Sequence, residues 1–151
     1  MTDSVAIQSS PATVLCFDFG LKRIGVAMGN TAIGMAHPLV TVEGESNDQR
    51  FGAIAALIAE WRPGVLVVGL PSHLDGTEHE MTQRCRRFSR QLEGRFNLPV
   101  VLVDERLTSE AASLELRDMG IGGRRQKAML DQVAARLILQ TYLDENRHAT
   151  A

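Results

Sequence analysis

The sequence predicts an α/β domain built on one mixed five-stranded sheet, a three-strand antiparallel meander plus two parallel strands, with helices on both faces. Three observations predict it. Between residues 14 and 42, three apolar strand-like runs follow one another across short turns, and short connections make neighbouring strands antiparallel. Beyond residue 46, helical and strand periodicities alternate, and Val65–Gly69 and Val100–Val103 are continuous apolar runs of the kind buried on both faces of a parallel sheet. Finally, 151 residues with 44% hydrophobic and 23% charged side chains are enough for one sizeable core and too few for two ordinary domains.

Residues 1–12 are small and polar, ending Ser9-Ser10-Pro11-Ala12, and read as a flexible tail. A single domain is expected over 13–145, with a second tail over 146–151. The first strand runs from Val14 to Asp18, and a Gly20-Leu21-Lys22 turn leads to a second strand over Arg23 to Met28. A loop around Gly29 and Asn30 precedes a third strand near His37 to Val42. Ser46 can cap a helix whose apolar positions Phe51, Ile54, Ala55, Leu57, Ile58 and Trp61 recur at helical spacing until Pro63-Gly64 ends it. After the Val65–Gly69 strand, a loop from Pro71 to Thr77 leads to a helix with Met81, Cys85, Phe88 and Leu92 on one face, stopped by Gly94. Pro99 opens the Val100–Val103 strand. Thr108 or Ser109 can cap a helix through Met119, which Gly120-Ile121-Gly122-Gly123 breaks. A last helix is expected from about Lys127 to Leu143, with Val133, Leu137, Ile138 and Tyr142 inward. This order of elements is that of a ribonuclease H-like fold.

The formal net charge of -2 and pI near 6.1 provide no global attraction to nucleic acid, so any such binding must come from local clusters of Arg and Lys. No stretch approaches the roughly 18 consecutive apolar residues of a membrane span, and the N-terminus lacks the pattern of a signal peptide. No membrane association and a cytoplasmic location are therefore expected. Cys16 lies in a strand pattern and Cys85 in a helix pattern, which reads as two buried thiols in a reducing compartment. His37, His73, His79 and His148 show no metal-ligand spacing.

Three acids each stand beside an apolar stretch: Asp18 after Val14-Leu15-Cys16-Phe17, Glu105 after Val100-Val101-Leu102-Val103-Asp104, and Asp131 opening Gln132-Val133-Ala134-Ala135. Carboxylates gathered at strand ends can hold divalent cations, and paired cations can cleave phosphodiesters. Taken singly, each also fits a solvated loop carboxylate or an acid near a helix N-terminus. Asp104 and Glu105 face opposite ways on a continuing strand, so one of them serves, Glu105 in preference. Ala134 and Ala135 are small enough for the last helix to approach the sheet closely. Lys22 and Arg23, beside Asp18, can contact a phosphate backbone, and Arg106 can hold a phosphate or orient the acids. The loop Gly69-Leu70-Pro71-Ser72-His73-Leu74-Asp75-Gly76-Thr77 lies where open α/β sheets bind ligands. Two basic clusters stand out. Arg124, Arg125 and Lys127 form a basic, glycine-rich approach to Asp131 suited to a nucleic-acid backbone, whereas Arg84, Arg86, Arg87, Arg90 and Arg95 read first as the solvated face of an amphipathic helix. With one Trp and one Tyr, base stacking has little to work with.

Phe17-Asp18-Phe19-Gly20-Leu21-Lys22-Arg23-Ile24-Gly25-Val26-Ala27, Val68-Gly69-Leu70-Pro71, Val103-Asp104-Glu105-Arg106-Leu107-Thr108-Ser109 and Asp131-Gln132-Val133-Ala134-Ala135 together resemble the RuvX (YqgF) family of bacterial ribonuclease H-like proteins. The resemblance spans about residues 14 to 143. It implies a nuclease that matures the 5′ end of pre-16S rRNA, with Asp18, Glu105 and Asp131 as catalytic metal-binding acids and Mg2+ or Mn2+ as cofactor. The implied partners are an rRNA precursor or branched DNA, together with the ribosomal subunit or its assembly proteins, in a monomer or dimer. Two other readings are a Holliday junction resolvase and a non-catalytic rRNA-binding assembly factor. Asp18-Phe19-Gly20 also resembles the phosphate loop of actin-like ATPases, but those enzymes need two such domains.

Overall fold

The computed structural model describes residues 12–44, 46–71, 80–104 and 123–150, with side chains of the last helix described over 129–146. Its elements in chain order are β1 (Thr13–Phe19), β2 (Arg23–Asn30), β3 (Ala36–Glu43), α1 (Asn47–Trp61), β4 (Val65–Leu70), α2 (Glu80–Phe96), β5 (Val100–Asp104) and α3 (Gly123–Thr150). The helix expected from Thr108 or Ser109 to Met119 lies outside the described residues.

The five strands form one sheet in the order β3-β2-β1-β4-β5. β1 pairs antiparallel with β2 and parallel with β4, and β5 adds in parallel to β4. The expected meander plus two parallel strands is thus present. Strand alternation sorts the side chains onto two cores. Leu15, Phe17, Ile24, Val26, Leu66 and Val68 pack against Phe51 and Ile54 of α1 and Phe88 and Leu92 of α2. On the other face, Val14, Cys16, Ala27, Val67 and Val103 pack against Ala135, Ile138, Leu139 and Leu143 of α3. Both cysteines are buried.

Several boundaries differ from the sequence reading, each for a local reason. α2 passes through Gly94 to Phe96, and Asn97 takes the left-handed φ of 55° that a helix terminus tolerates in Asn. One Gly in a helix costs only about 1 kcal/mol, which the packing of Phe88 and Leu92 overrides. α1 has the expected Ser46 cap, which forms a capping box with Gln49. α3 begins at Gly123, earlier than the expected Lys127, and continues through residues read as a tail. Arg124, Arg125 and Lys127 consequently lie on helix, not in a glycine-rich loop.

Candidate active site

Asp18 is the last residue of β1 whose side chain belongs to the α3 face, two positions beyond buried Cys16. It pairs in register with Gly25 of β2, so the two residues point to the same side of the sheet. What lies above Gly25 decides the site. A Cβ built there would come within 2.7 Å of the Asp131 Cβ and would collide with the Asp131 carbonyl. The absent side chain lets α3 settle directly on the sheet at this point, which brings Asp131 over the strand pair that ends in Asp18.

Arg23, two residues before Gly25 on the same face of β2, donates from Nε to Asp131 Oδ2 at 2.9 Å. Both partners are partly exposed. The pair orients the carboxylate while leaving its second oxygen and the remaining guanidinium N–H groups for other partners. Further along α3, two glutamines fix the helix against the meander. Gln132 Nε2 donates to Thr41 Oγ1 at 2.9 Å, and Gln140 accepts from Ala36 N at 3.0 Å and donates to the Gly34 carbonyl at 2.9 Å. These bonds set the rotation and axial position of α3, and with them the position of Asp131.

Asp131 lies beyond the first two turns of α3, outside the range over which a helix dipole favours an acid. The helix end therefore does not account for its place. Lys22 is exposed on the turn after Asp18, and Gly20 opens that turn where a Cβ would meet the Arg23 carbonyl. Asp104 ends β5 and is exposed. Val101 and Val103 pack on the α3 side, so alternation assigns Asp104 to the opposite face from Asp18. Glu105 and Arg106 lie outside the described residues, as do the side chains of Arg124, Arg125 and Lys127. Among the described residues, no three Asp, Glu, His or Cys side chains group to hold a metal ion. Two of the three expected acids are therefore placed on one face at the carboxyl end of β1, and the third is not described. No described helix is long and apolar enough to cross a membrane.

Sequence reasoning missed a second feature at the same end of β1. Phe19, the residue after Asp18, points to the α1–α2 face, where a cavity of about 290 Å3 is lined by Arg50, Arg84 and Arg87. No sequence signal marked it: Arg50 stands beside the apolar stripe of α1, where a cation reads as solvated, yet it is only 7% exposed.

The sequence matches the family described as "RuvX: Holliday junction resolvase" over residues 12–145. A protein of Methylobacillus flagellatus named "Putative pre-16S rRNA nuclease" is 65% identical over 136 residues, covering 90% of this chain and 93% of its own. One of the same name from Neisseria gonorrhoeae is 56% identical over 132 residues, covering 87% of each. Among solved structures, Thermus thermophilus RuvC in complex with a Holliday junction superposes with a TM-score of 0.54 at 16% identity, over 89% of this chain and 96% of that one. The fowlpox virus Holliday junction resolvase gives 0.55 at 9% identity, over 88% and 98%. At such identities these two structures establish a shared ribonuclease H-like fold.

Proposed function

The chain belongs to the RuvX family, and from that premise we propose that it is a metal-dependent nuclease hydrolysing phosphodiester bonds in the maturation of the 5′ end of pre-16S rRNA. The observation that carries the reading is the convergence of Asp18 and Asp131 across Gly25. Support for the substrate comes from the name borne by relatives 65% and 56% identical.

The donor set fits a hard divalent ion. Both placed groups are carboxylates at a partly exposed strand end, and oxygen donors suit Mg2+ or Mn2+. Asp18 and Asp131 would hold the metal, with Glu105 as the third acid. β4 ends at Leu70, followed by Pro71, without a carboxylate, and Asp104 belongs to the other face, which favours Glu105. When bound, such ions activate water and stabilise the leaving oxygen. The chain's own residues position the reaction: Arg23 holds Asp131 through Oδ2, and Lys22 on the adjoining turn contacts a neighbouring phosphate. Arg106, Arg124, Arg125 and Lys127 extend that backbone contact, in a cytoplasmic protein that meets its substrate on the ribosomal subunit or with its assembly factors.

The test incubates the protein and its Asp18→Asn variant, with Mg2+ or Mn2+, on a small-subunit precursor RNA and on a four-way DNA junction. Metal-dependent cutting of the RNA that disappears in a folded Asp18→Asn protein is the expected result. The family description and the resolvase fold favour one second reading, branched DNA, which calls for two sites in a symmetric dimer. Preferential cutting of the junction by a dimer on a sizing column would establish it. Binding of RNA by both proteins without cutting would leave a non-catalytic assembly factor.

A further inference from the structure

The cavity behind Asp18 has a composition that the proposed reaction does not use. It lies between the β1–β2 turn, the first turn of α1 and the middle of α2. Three guanidinium groups line it, with Asn47 and Gln91 as further polar neighbours, and no acid lines it among the described residues. In a chain of net charge -2, that is a local concentration of positive charge.

Arg50 forms its inner wall. A terminal N–H donates to the carbonyl of Gly20, the guanidinium carbon lies 4.9 Å from the centre of the Phe19 ring, and among the described residues the buried Nε has no acceptor. Burial also disfavours its charged form. A buried, incompletely satisfied guanidinium carries a desolvation cost that an anion nearby would offset. Arg87 is exposed at the rim, and Arg84 is held by Glu80 at 2.7 Å across one helical turn.

We propose that this cavity is a phosphate subsite that engages the nucleic-acid strand on the opposite side of β1 from the carboxylates. The inference rests on the nuclease reading for the identity of the strand. Asp18 and Phe19 are consecutive, so the acids and the arginines flank one strand end and are separated by the thickness of the sheet and the Gly20-Leu21-Lys22 turn. A strand bound at the acids reaches the cavity by rounding that turn, where Lys22 is exposed. Planar, bidentate guanidinium groups suit phosphate oxygens, and the exposed rim suits a continuous chain that enters and leaves.

The test measures binding of a fluorescent single-stranded RNA from the small-subunit precursor to the full chain, without divalent metal, at several salt concentrations. On a single strand each phosphate contact contributes about 0.7 to the slope of log affinity against log salt. Arg87→Glu is expected to weaken binding several-fold and lower the slope by about 0.7. Glu80→Gln, which releases Arg84, is expected to tighten binding; this gain cannot arise from misfolding. Arg62→Glu, an exposed charge reversal before β4 at the other end of the sheet, is expected to leave the slope unchanged. Equal losses from Arg87→Glu and Arg62→Glu would overturn the proposal, because binding would then track overall charge alone. So would an unchanged slope in Arg87→Glu, or inorganic phosphate competing as effectively as the RNA, which would assign the cavity to a small anion. The readout is independent of cleavage, so failure of the nuclease reading and failure of this subsite give different results.

Discussion

Gly25 couples the fold to the site more tightly than either acid does. Asp18 could be replaced by Asn with little change in shape, but any side chain at position 25 would push α3 away at Asp131. Overpacking of this kind costs about 1–3 kcal/mol. Gly25→Ala is therefore expected to lower the unfolding free energy by that amount, read as a lower urea midpoint, and to reduce cleavage far more than the residual folded fraction explains. A variant with full activity would show that Asp131 need not be held at this distance. At this scale Asp18 and Asp131 were legible in the sequence because each follows or opens a recognisable apolar run. Arg23 was legible only as a phosphate contact, since nothing in its spacing reveals a partner 108 positions away. Arg50 was not legible at all. Its burial depends on α2 arriving from a distant part of the chain, and a cation at a helix start otherwise reads as solvated.

Among the elements, the strands were the easiest to read, because alternation and β-branched runs define them and the meander turns are short. The α1 N-terminus was also legible: Ser46 with Gln49 three residues on is the spacing of a capping box, and both of its bonds are present. The cap is exposed, so Ser46→Ala is expected to cost about 1 kcal/mol without touching the core, read as a shift in urea midpoint at unchanged slope. Because Arg50 lies in the next turn of that helix, the same variant also tests whether the cavity wall depends on a well-formed α1 start; RNA affinity that falls together with stability would say that it does. Helix ends governed by glycine were less legible. Gly94 and Gly123 read as breakers, but helix packing outweighs about 1 kcal/mol of propensity, so α2 runs through the first and α3 starts at the second. That early start puts Asp131 beyond the first two turns of α3, where a local capping explanation no longer applies.

On the scale of the whole molecule, the two proposed sites stand on opposite faces of the sheet. Asp18 and Asp131, with Arg23, lie on the α3 face and Arg50, Arg84 and Arg87 on the α1–α2 face, at the same end of β1. Each face has its own core, with Val14, Cys16 and Leu139 fully buried on one and Leu15, Phe17 and Leu92 on the other. Neither core draws on the acids, so the fold should stand without a metal, unlike a small domain organised around one. Chelation by EDTA is accordingly expected to abolish cleavage while leaving the circular dichroism spectrum unchanged. Ions that bind only the folded site still add stability by mass action. At a free Mg2+ concentration a hundredfold above its Kd the gain is about 2.7 kcal/mol, visible as a higher urea midpoint. The increment should vanish in Asp18→Asn, which removes a ligand, and persist in Arg87→Glu, which lies across the sheet. Equal increments in the wild type and Asp18→Asn would place the ion elsewhere and remove Asp18 from the metal site, whereas loss of the increment in both variants would mean that the two faces are coupled through the Gly20 turn.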